Sequence, residues 1–480
     1  MWSFERTSRT KVADTALADQ LHRATETSLH KYRERVAELP HWEALRRRAR
    51  QVKLHTLTHL DQYLRQFVAA AEANGATVSW ADTGADACAE IVELACREKV
   101  RRVVKAKSMT GEEIELNEAL TRAGVEPVET DFGEMVCQLA GQRPSHVTAP
   151  IIQWSLEQVA RLLYERGMLD ALPAELGDAA TAAALGPEER SRVAARLVAA
   201  ARRALRPKFL SAELGFSGAN FAVAESGTLV LVENEANLRL STASPPIHVA
   251  VVGIDKLIPR LEDLATFLTL LPVAATGQRQ SAYVSLLHRP HQRLHIILLD
   301  NGRSTLLADA EHYDLLSCIR CGACLNVCPV YRHVSGHGYA SVYPGPIGAV
   351  LTPHLWPEEH YRQLPWASSL CGACAEICPV RIPLDERLLQ WRDRLVRGRR
   401  RPARERLAFA AWAWLMRHPA LYRAIRPPAG WRQALAGRLG PVRRWRSTRE
   451  LPAAAEETFA DWWRKHHATR EDRPADPAAD

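Results

Sequence analysis

The sequence has no uninterrupted apolar run near the roughly 18 to 20 residues that a membrane-spanning helix needs. Its first residues, "MWSFERTSRTKVAD", are charged and contain no apolar stretch, which argues against an export signal and makes the cytoplasm the expected location. Neither G-x-x-x-x-G-K-[ST] nor G-x-G-x-x-G occurs, so no nucleotide or nicotinamide cofactor is signalled. Only three of the ten cysteines (Cys88, Cys96 and Cys137) lie outside residues 318–378. Scattered in this way, they read as small buried hydrophobes and not as a disulfide framework. Lysine is missing from residues 381–449, where nineteen arginines face four acids, a local balance of +15. The net charge is +8, which leaves about −7 for the rest of the chain.

At 480 residues the chain exceeds one ordinary core and predicts several domains. Residues 1–70 have apolar positions at helical spacing and read as a helical segment. Over 71–300 short apolar runs alternate with amphipathic helices. "VRRVVKA", "VEPVETD", "GTLVLVEN", "IHVAVVGI" and "LHIILLDNG" read as strands, and "GEEIELNEALTRAG" as a helix closed by Gly124. This alternation predicts a layered α/β domain. Residues 301–395 hold the cysteine motifs. Residues 396–480 form a basic, tryptophan-rich end whose tail, "ATREDRPADPAAD", reads as disordered.

Cys318, Cys321, Cys324 and Cys328-Pro329 spell C-x2-C-x2-C-x3-C-P, the bacterial ferredoxin run for a [4Fe–4S] cluster. Three thiolates on a tight loop can wrap three corners of a cubane, and the fourth reaches the other cluster of a two-cluster protein. Cys371, Cys374 and Cys378-Pro379 repeat the pattern, with Ser368 where the first copy has Cys318. Exchanging the fourth ligands gives Cys318, Cys321, Cys324 and Cys378 for one cluster, and Cys328, Cys371 and Cys374 for the other. The corner left over admits a serine or solvent ligand, or a [3Fe–4S] cluster. Zinc is the competing reading, but its sites use well-separated pairs of ligands. Paired clusters point to electron transfer, with a structural or redox-sensing scaffold as the rival. His333 and His337, in the loop between the motifs, read as hydrogen-bonded loop residues, with ligation of the open corner as the alternative.

In the α/β part, "VKAKSMTGEE" puts Lys105, Lys107 and Ser108 between a strand and a helix, where an anion can be held. "SGANFAVAESGTLVLVENEANLR" adds Gly218, Asn220 and Glu225, the last a candidate base or nucleophile. Together these form a candidate organic-anion site. In the basic end, "RERLAFAAWAWLMRH" has an apolar middle between basic flanks, as interfacial helices do. An acidic partner, or the chain's own acidic remainder, is the leading reading for this region, and contact with a membrane surface is the second. No nucleic-acid-binding signature accompanies the arginines.

The stretches "CIRCGACLNVCPVYR", "GHGYASVYPGPIGAVLTP" and "ASSLCGACAEICPV" resemble the iron–sulfur segment of the lactate-utilisation protein B family. "VVKAKSMTGEEIELNEAL", "VETDFGEMVCQLAGQRPSHVTAP" and "FSGANFAVAESGTLVLVENEANLRLST" resemble the same family, over about residues 40 to 400. In that family the seven-cysteine pattern is usual. The resemblance implies an α/β domain of the lactate-utilisation (LUD) type, similar to sugar-isomerase and CoA-transferase folds. An α-helical two-cluster ferredoxin-like module and a helical basic C-terminal domain would follow it. It also implies a part in oxidising L-lactate to pyruvate beside two sister subunits, a Cys-Cys-Gly-containing iron–sulfur protein and a LUD-only protein. An iron–sulfur subunit acting on another organic acid is the alternative. The chain departs from the family pattern at "IIQWSLEQ" and "SAYVSLLHRPHQRLHII", which bears on whether the substrate or partner is the same.

Overall fold

The computed structural model describes residues 3–176, 185–289, 291–398, 403–424, 450, 455, 457 and 459–467. Two compact units emerge, Met1–Arg397 and Gly398–Asp480.

The first unit begins with helices Phe4–Val12, Thr15–Ala37, Trp42–Thr58 and Leu60–Ala73. In the second of these, Asp14 caps the start by accepting the Leu17 N–H at 3.0 Å. Leu21, Thr25 and Leu29, four residues apart, form its buried stripe.

Among the described residues ten strands follow. The first five are β1 (Thr77–Ala81), β2 (Arg102–Lys105), β3 (Glu126–Glu129), β4 (Leu214–Ser217) and β5 (Phe221–Val223). Then come β6 (Thr228–Glu233), β7 (Ile247–Gly253), β8 (Leu257–Ile258), β9 (Tyr283–Leu287) and β10 (Arg293–Leu299). Six of them form a sheet in the order β1-β10-β7-β4-β2-β3, with every pairing parallel. β7 is buried at all seven positions, as a strand covered on both faces must be, which is why "IHVAVVG" is nearly all apolar. From β2 the chain steps to β3 on one side, then returns to lay down β4, β7 and β10 on the other. The winding therefore reverses between β2 and β4. In open α/β sheets such a reversal opens a crevice beyond the carboxyl ends of the strands. A smaller sheet, β8-β5-β6-β9, contains the hairpin β5–β6.

The stretch read as one helix, "GEEIELNEALTRAG", is two, Met109–Glu113 and Leu116–Arg122. Glu115 breaks them apart at φ 56°. Cys88 and Cys137 are buried as expected, but Cys96 is exposed.

The helical, α/β and cysteine segments are not separate bodies. Leu21, Trp42, Phe267, Leu316, Tyr331 and Trp391 belong to one continuous core that draws on all three. Gly336 marks how tightly they fit: a Cβ there would lie 1.9 Å from the carbonyl oxygen of Ser145. The helix Leu384–Arg397 closes this unit. Trp391 donates its indole N–H to the Val350 carbonyl at 2.9 Å, and Arg387 grips Asp314 with two bonds of 2.9 Å.

In the second unit, helix Ala403–Met416 buries no side chain and exposes Leu407, Phe409, Trp412 and Trp414. No helix among the described residues is long and apolar enough to cross a membrane. Most of the arginine-rich stretch after residue 424, and the Pro/Ala/Asp-rich tail, lie outside the described residues.

Candidate functional site

The two cysteine motifs fold alike. Arg320 and Leu370 adopt φ of 59° and 56°, and Gly322 and Gly372 adopt 78° and 80°. In the first copy the Arg320 N–H points at Cys318 Sγ, 3.4 Å away. In the second, the Leu370 N–H points at Ser368 Oγ, 3.1 Å away. Ser368 thus holds the backbone position and local contact that Cys318 holds in the first loop, with oxygen in place of sulfur. Left-handed geometry two residues after each is what turns the loop back toward the following cysteine.

The sulfurs gather in two groups by mutual proximity. Cys321 feels the charges of Cys318 and Cys378. Cys328 feels Cys371, and Cys374 feels both Cys328 and Cys371. Cys324 senses Cys321 and Cys318 most and then Cys374, so it stands on the side of the first group that faces the second. Burial pushes the Cys374 thiol up to about 12 and the Cys378 thiol up to about 11. Such thiols stay protonated unless a metal takes the proton's place.

The donors fit iron–sulfur clusters. Five of the seven sulfur residues are buried, and all seven are free of disulfides. An all-thiolate, tightly spaced donor set is soft and crowded, as iron–sulfur centres require. The Ile382 N–H donates to Cys378 Sγ at 3.4 Å. The Tyr339 hydroxyl, fully buried, has no nitrogen or oxygen partner and lies against Cys328. Cys371 is exposed, so the second group reaches the surface. His333 and His337 are engaged elsewhere, each bonded at 2.7 Å to a backbone carbonyl, of Pro329 and Arg143 respectively.

A buried charge network ties the first cysteine loop to the parallel sheet. Arg303 binds both Glu113 oxygens, at 2.8 and 2.9 Å, and Asp255 at 2.7 Å. Arg320 reaches Asp255 at 3.4 Å and lies over the Tyr343 ring, 4.8 Å from its centre. The Tyr343 hydroxyl donates to Glu113 at 2.6 Å. Lys53, from the N-terminal helices, donates to the carbonyls of Asp255 and Leu257. Burial dominates this lysine and pulls its pKa down to about 8.

A cavity of about 250 Å³ opens where the sheet reverses. Lys107 and Ser108 follow β2, Asp131 follows β3, Gly218 and Asn220 follow β4, and Lys256 follows β7; all line it. Ile319 and Arg320, from the first cysteine loop, complete the wall. Of the residues expected to form an anion site, Lys107, Ser108, Gly218 and Asn220 do come together. Lys105 does not: it lies under the cavity, bonded to Glu129 at 2.6 Å and Asn117 at 2.5 Å. Its side chain points from the strand to a buried carboxylate, not past the strand end. Glu225 is exposed at the end of the small-sheet strand β5, where its carboxylate accepts the Leu261 N–H at 3.0 Å. The helix after Ser108 has five residues, so the cavity's character comes from side chains and not from a helix end. Gly218 lacks a side chain for a reason, since a Cβ there would stand 2.6 Å from Ser108 Oγ. The sequence reading missed Lys256 and Arg320. "GIDK" directly after "IHVAVV" was the available signal for the first, because ligands gather past parallel strand ends.

Models of three known protein families match the chain in turn. The LUD domain matches residues 64–302, the 4Fe-4S dicluster domain 314–382, and the lactate utilisation protein B C-terminal region 394–468. A lactate utilization protein B of Shouchella clausii is 41% identical over 443 residues, covering 89% of each chain. The chain belongs to the lactate utilization protein B family. The family's member from Bacillus pumilus is 38% identical, covering 94% of this chain and 95% of its own. An uncharacterized electron transport protein, YkgF of Escherichia coli, is 40% identical over 90% of each chain. The dicluster match takes in all seven clustered cysteines, and the LUD match takes in the strand ends around the cavity. The cavity thus lies where those two family modules meet.

Proposed function

We propose that this protein is an iron–sulfur electron-transfer subunit of an L-lactate-oxidising system. The reading is carried by the two groups of sulfurs in one compact unit, each folded on the same loop, beside a cavity walled by the first loop. Cys318, Cys321, Cys324 and Cys378 would hold one cluster, [4Fe–4S] in type. Cys328, Cys371 and Cys374 would hold the second, its fourth position taken by Ser368 Oγ or solvent, or left open as in a [3Fe–4S] cluster. Such clusters supply one-electron oxidation and reduction when bound. Oxidation of L-lactate to pyruvate releases two electrons and two protons, and two one-electron centres match that count. The exposure of Cys371 supports the second group as the face toward an acceptor or a sister subunit. The names of the relatives, lactate utilization protein B and electron transport protein, support the substrate and the role.

Anaerobic stopped-flow spectroscopy tests this reading. Addition of L-lactate to the purified protein together with its sister subunits is expected to bleach the visible absorption of the clusters. No bleaching under those conditions, or protein prepared without air that carries zinc and no iron, overturns it.

A further inference from the structure

We infer that the cavity between the parallel sheet and the first cysteine loop is a binding site for the carboxylate of a small 2-hydroxy or 2-oxo acid. Lys256, Lys107 and Arg320 would hold that carboxylate. The choice of acid rests on the function proposed above, but the anion site itself does not.

The charges around the cavity are unequally satisfied. Each acid on its wall is already committed to backbone donors. Asp131 accepts the Glu134 N–H at 3.0 Å, and Glu233 accepts the N–H groups of Leu238 and Arg239 at 2.9 Å each. Glu235 accepts the Phe132 N–H at 3.3 Å. The cations are less fully matched, although Arg320 does reach Asp255 and the Cys318 carbonyl through its terminal nitrogens. Lys256 is only 9% exposed, yet its ammonium has no hydrogen-bond or ion-pair partner among the described residues. The buried Lys107 Nζ has none either, and Arg320 keeps its Nε unpaired. Burying an ammonium without a partner is costly, so Lys107, with Lys256 and the free Nε of Arg320 beside it, describes a place prepared for a negative ligand. Asn220 points the same way: its oxygen is taken by the Val232 N–H at 2.8 Å, which leaves its amide donors to offer.

Size and shape narrow the ligand. About 250 Å³ is at the lower edge of the roughly 300–1,000 Å³ of sites for drug-sized molecules, which leaves room for a small organic acid. Val147, Leu271, Pro272 and Ala275 give one apolar wall for a short alkyl group. The position narrows it further. Ile319 and Arg320 are the residues between Cys318 and Cys321, so an acid held by Arg320 sits against the loop of the first group of sulfurs.

Calorimetric titration of the full-length protein, purified without air, with oxamate, pyruvate and L-lactate tests the site. Oxamate, a redox-inert mimic of pyruvate, is expected to bind. Lys256→Met is expected to weaken it at least tenfold with iron content unchanged, and Lys256→Arg to recover most of the loss. Ala275→Phe, which fills the cavity from the apolar wall and touches no charge, is expected to abolish binding. It decides the matter should Lys256→Met lose iron. Absence of binding by all three acids to the unaltered protein, or unchanged oxamate affinity in Ala275→Phe, overturns the inference. If lactate still bleaches the clusters in the complete system while none of the acids binds here, the cavity assignment falls and the electron-transfer reading stands. Binding without bleaching upholds the cavity assignment and overturns the electron-transfer reading.

Discussion

Lys105 and Lys256 both stand near carboxyl ends of strands in the same sheet, and both are buried, yet only Lys105 is paired. Burial works against its ammonium, but the Glu129 carboxylate outweighs that and raises its pKa. For Lys256 burial wins, and its pKa falls to about 8. The two therefore respond differently to removal. Lys105→Met strands a buried carboxylate and is expected to cost about 3–5 kcal/mol in urea unfolding, most of it recovered by adding Glu129→Leu. Ser368 is the other residue whose neighbours make its role testable. Its Oγ sits where a thiolate sits in the first loop, and an alkoxide or hydroxyl is a weaker ligand for iron than sulfur. Ser368→Cys is expected to give a second cluster that withstands mild ferricyanide, whereas the unaltered protein yields the electron paramagnetic resonance signal of a three-iron cluster.

At the scale of elements, β7 does two jobs. Its end delivers Lys256 to the cavity, and its second residue, His248, is buried in the sheet, where the ring bonds Ser217 Oγ at 2.8 Å. Burial holds the His248 pKa down to about 3, against about 6.5 for the unfolded chain. The unfolded state therefore takes up the proton first. The stability from this group is complete above pH 6.5 and is lost progressively as pH falls toward 3, roughly 3 kcal/mol of it by pH 4.5. Urea melts across that range should show His248→Gln with a shallower acid slope than the unaltered chain. The loop that follows the helix Phe132–Ala140 meets the cysteine segment at Ser145, whose carbonyl accepts the Tyr331 hydroxyl at 2.7 Å and touches Gly336. Gly336→Ala forces backbone against side chain there. A loss of roughly 1–3 kcal/mol in thermal or urea unfolding is expected, with iron released earlier on heating.

For the whole molecule, the decisive boundary is Arg397. All seven clustered cysteines, the cavity and the shared core lie before it. The helix Leu384–Arg397 belongs to that core through Trp391 and Leu395, each 2% exposed, although family matching begins the C-terminal region at 394. A chain ended at Arg397 is expected to keep its iron and a single cooperative melt. One ended at Pro383 is expected to lose both, as iron analysis and calorimetry would show. Part of the arginine excess also has its answer inside the chain: Arg387 pairs with Asp314, and Arg394 with Asp309 and Glu311. Both arginines belong to the first unit, on the helix Leu384–Arg397.

The cysteine loops were legible in the order of residues because their ligand spacing is local. Two or three residues of chain fix how far apart three thiols can lie, and Gly322 and Gly372 mark the turns. The strands were legible for a similar reason: "IHVAVVG" and "LHIILL" can be little else than buried parallel strands. The cavity was half legible, since Lys107, Ser108, Gly218 and Asn220 stand beside strand ends that periodicity reveals. Lys105 and Lys256 were not separable by sequence. Which buried lysine meets a carboxylate and which is left unpaired depends on the order β4-β2-β3 and on where the first cysteine loop comes to rest. Local chain geometry determined the shape of the cysteine loops; long-range packing alone decided which charges face one another, because an ion pair needs proximity that spacing along the chain does not supply.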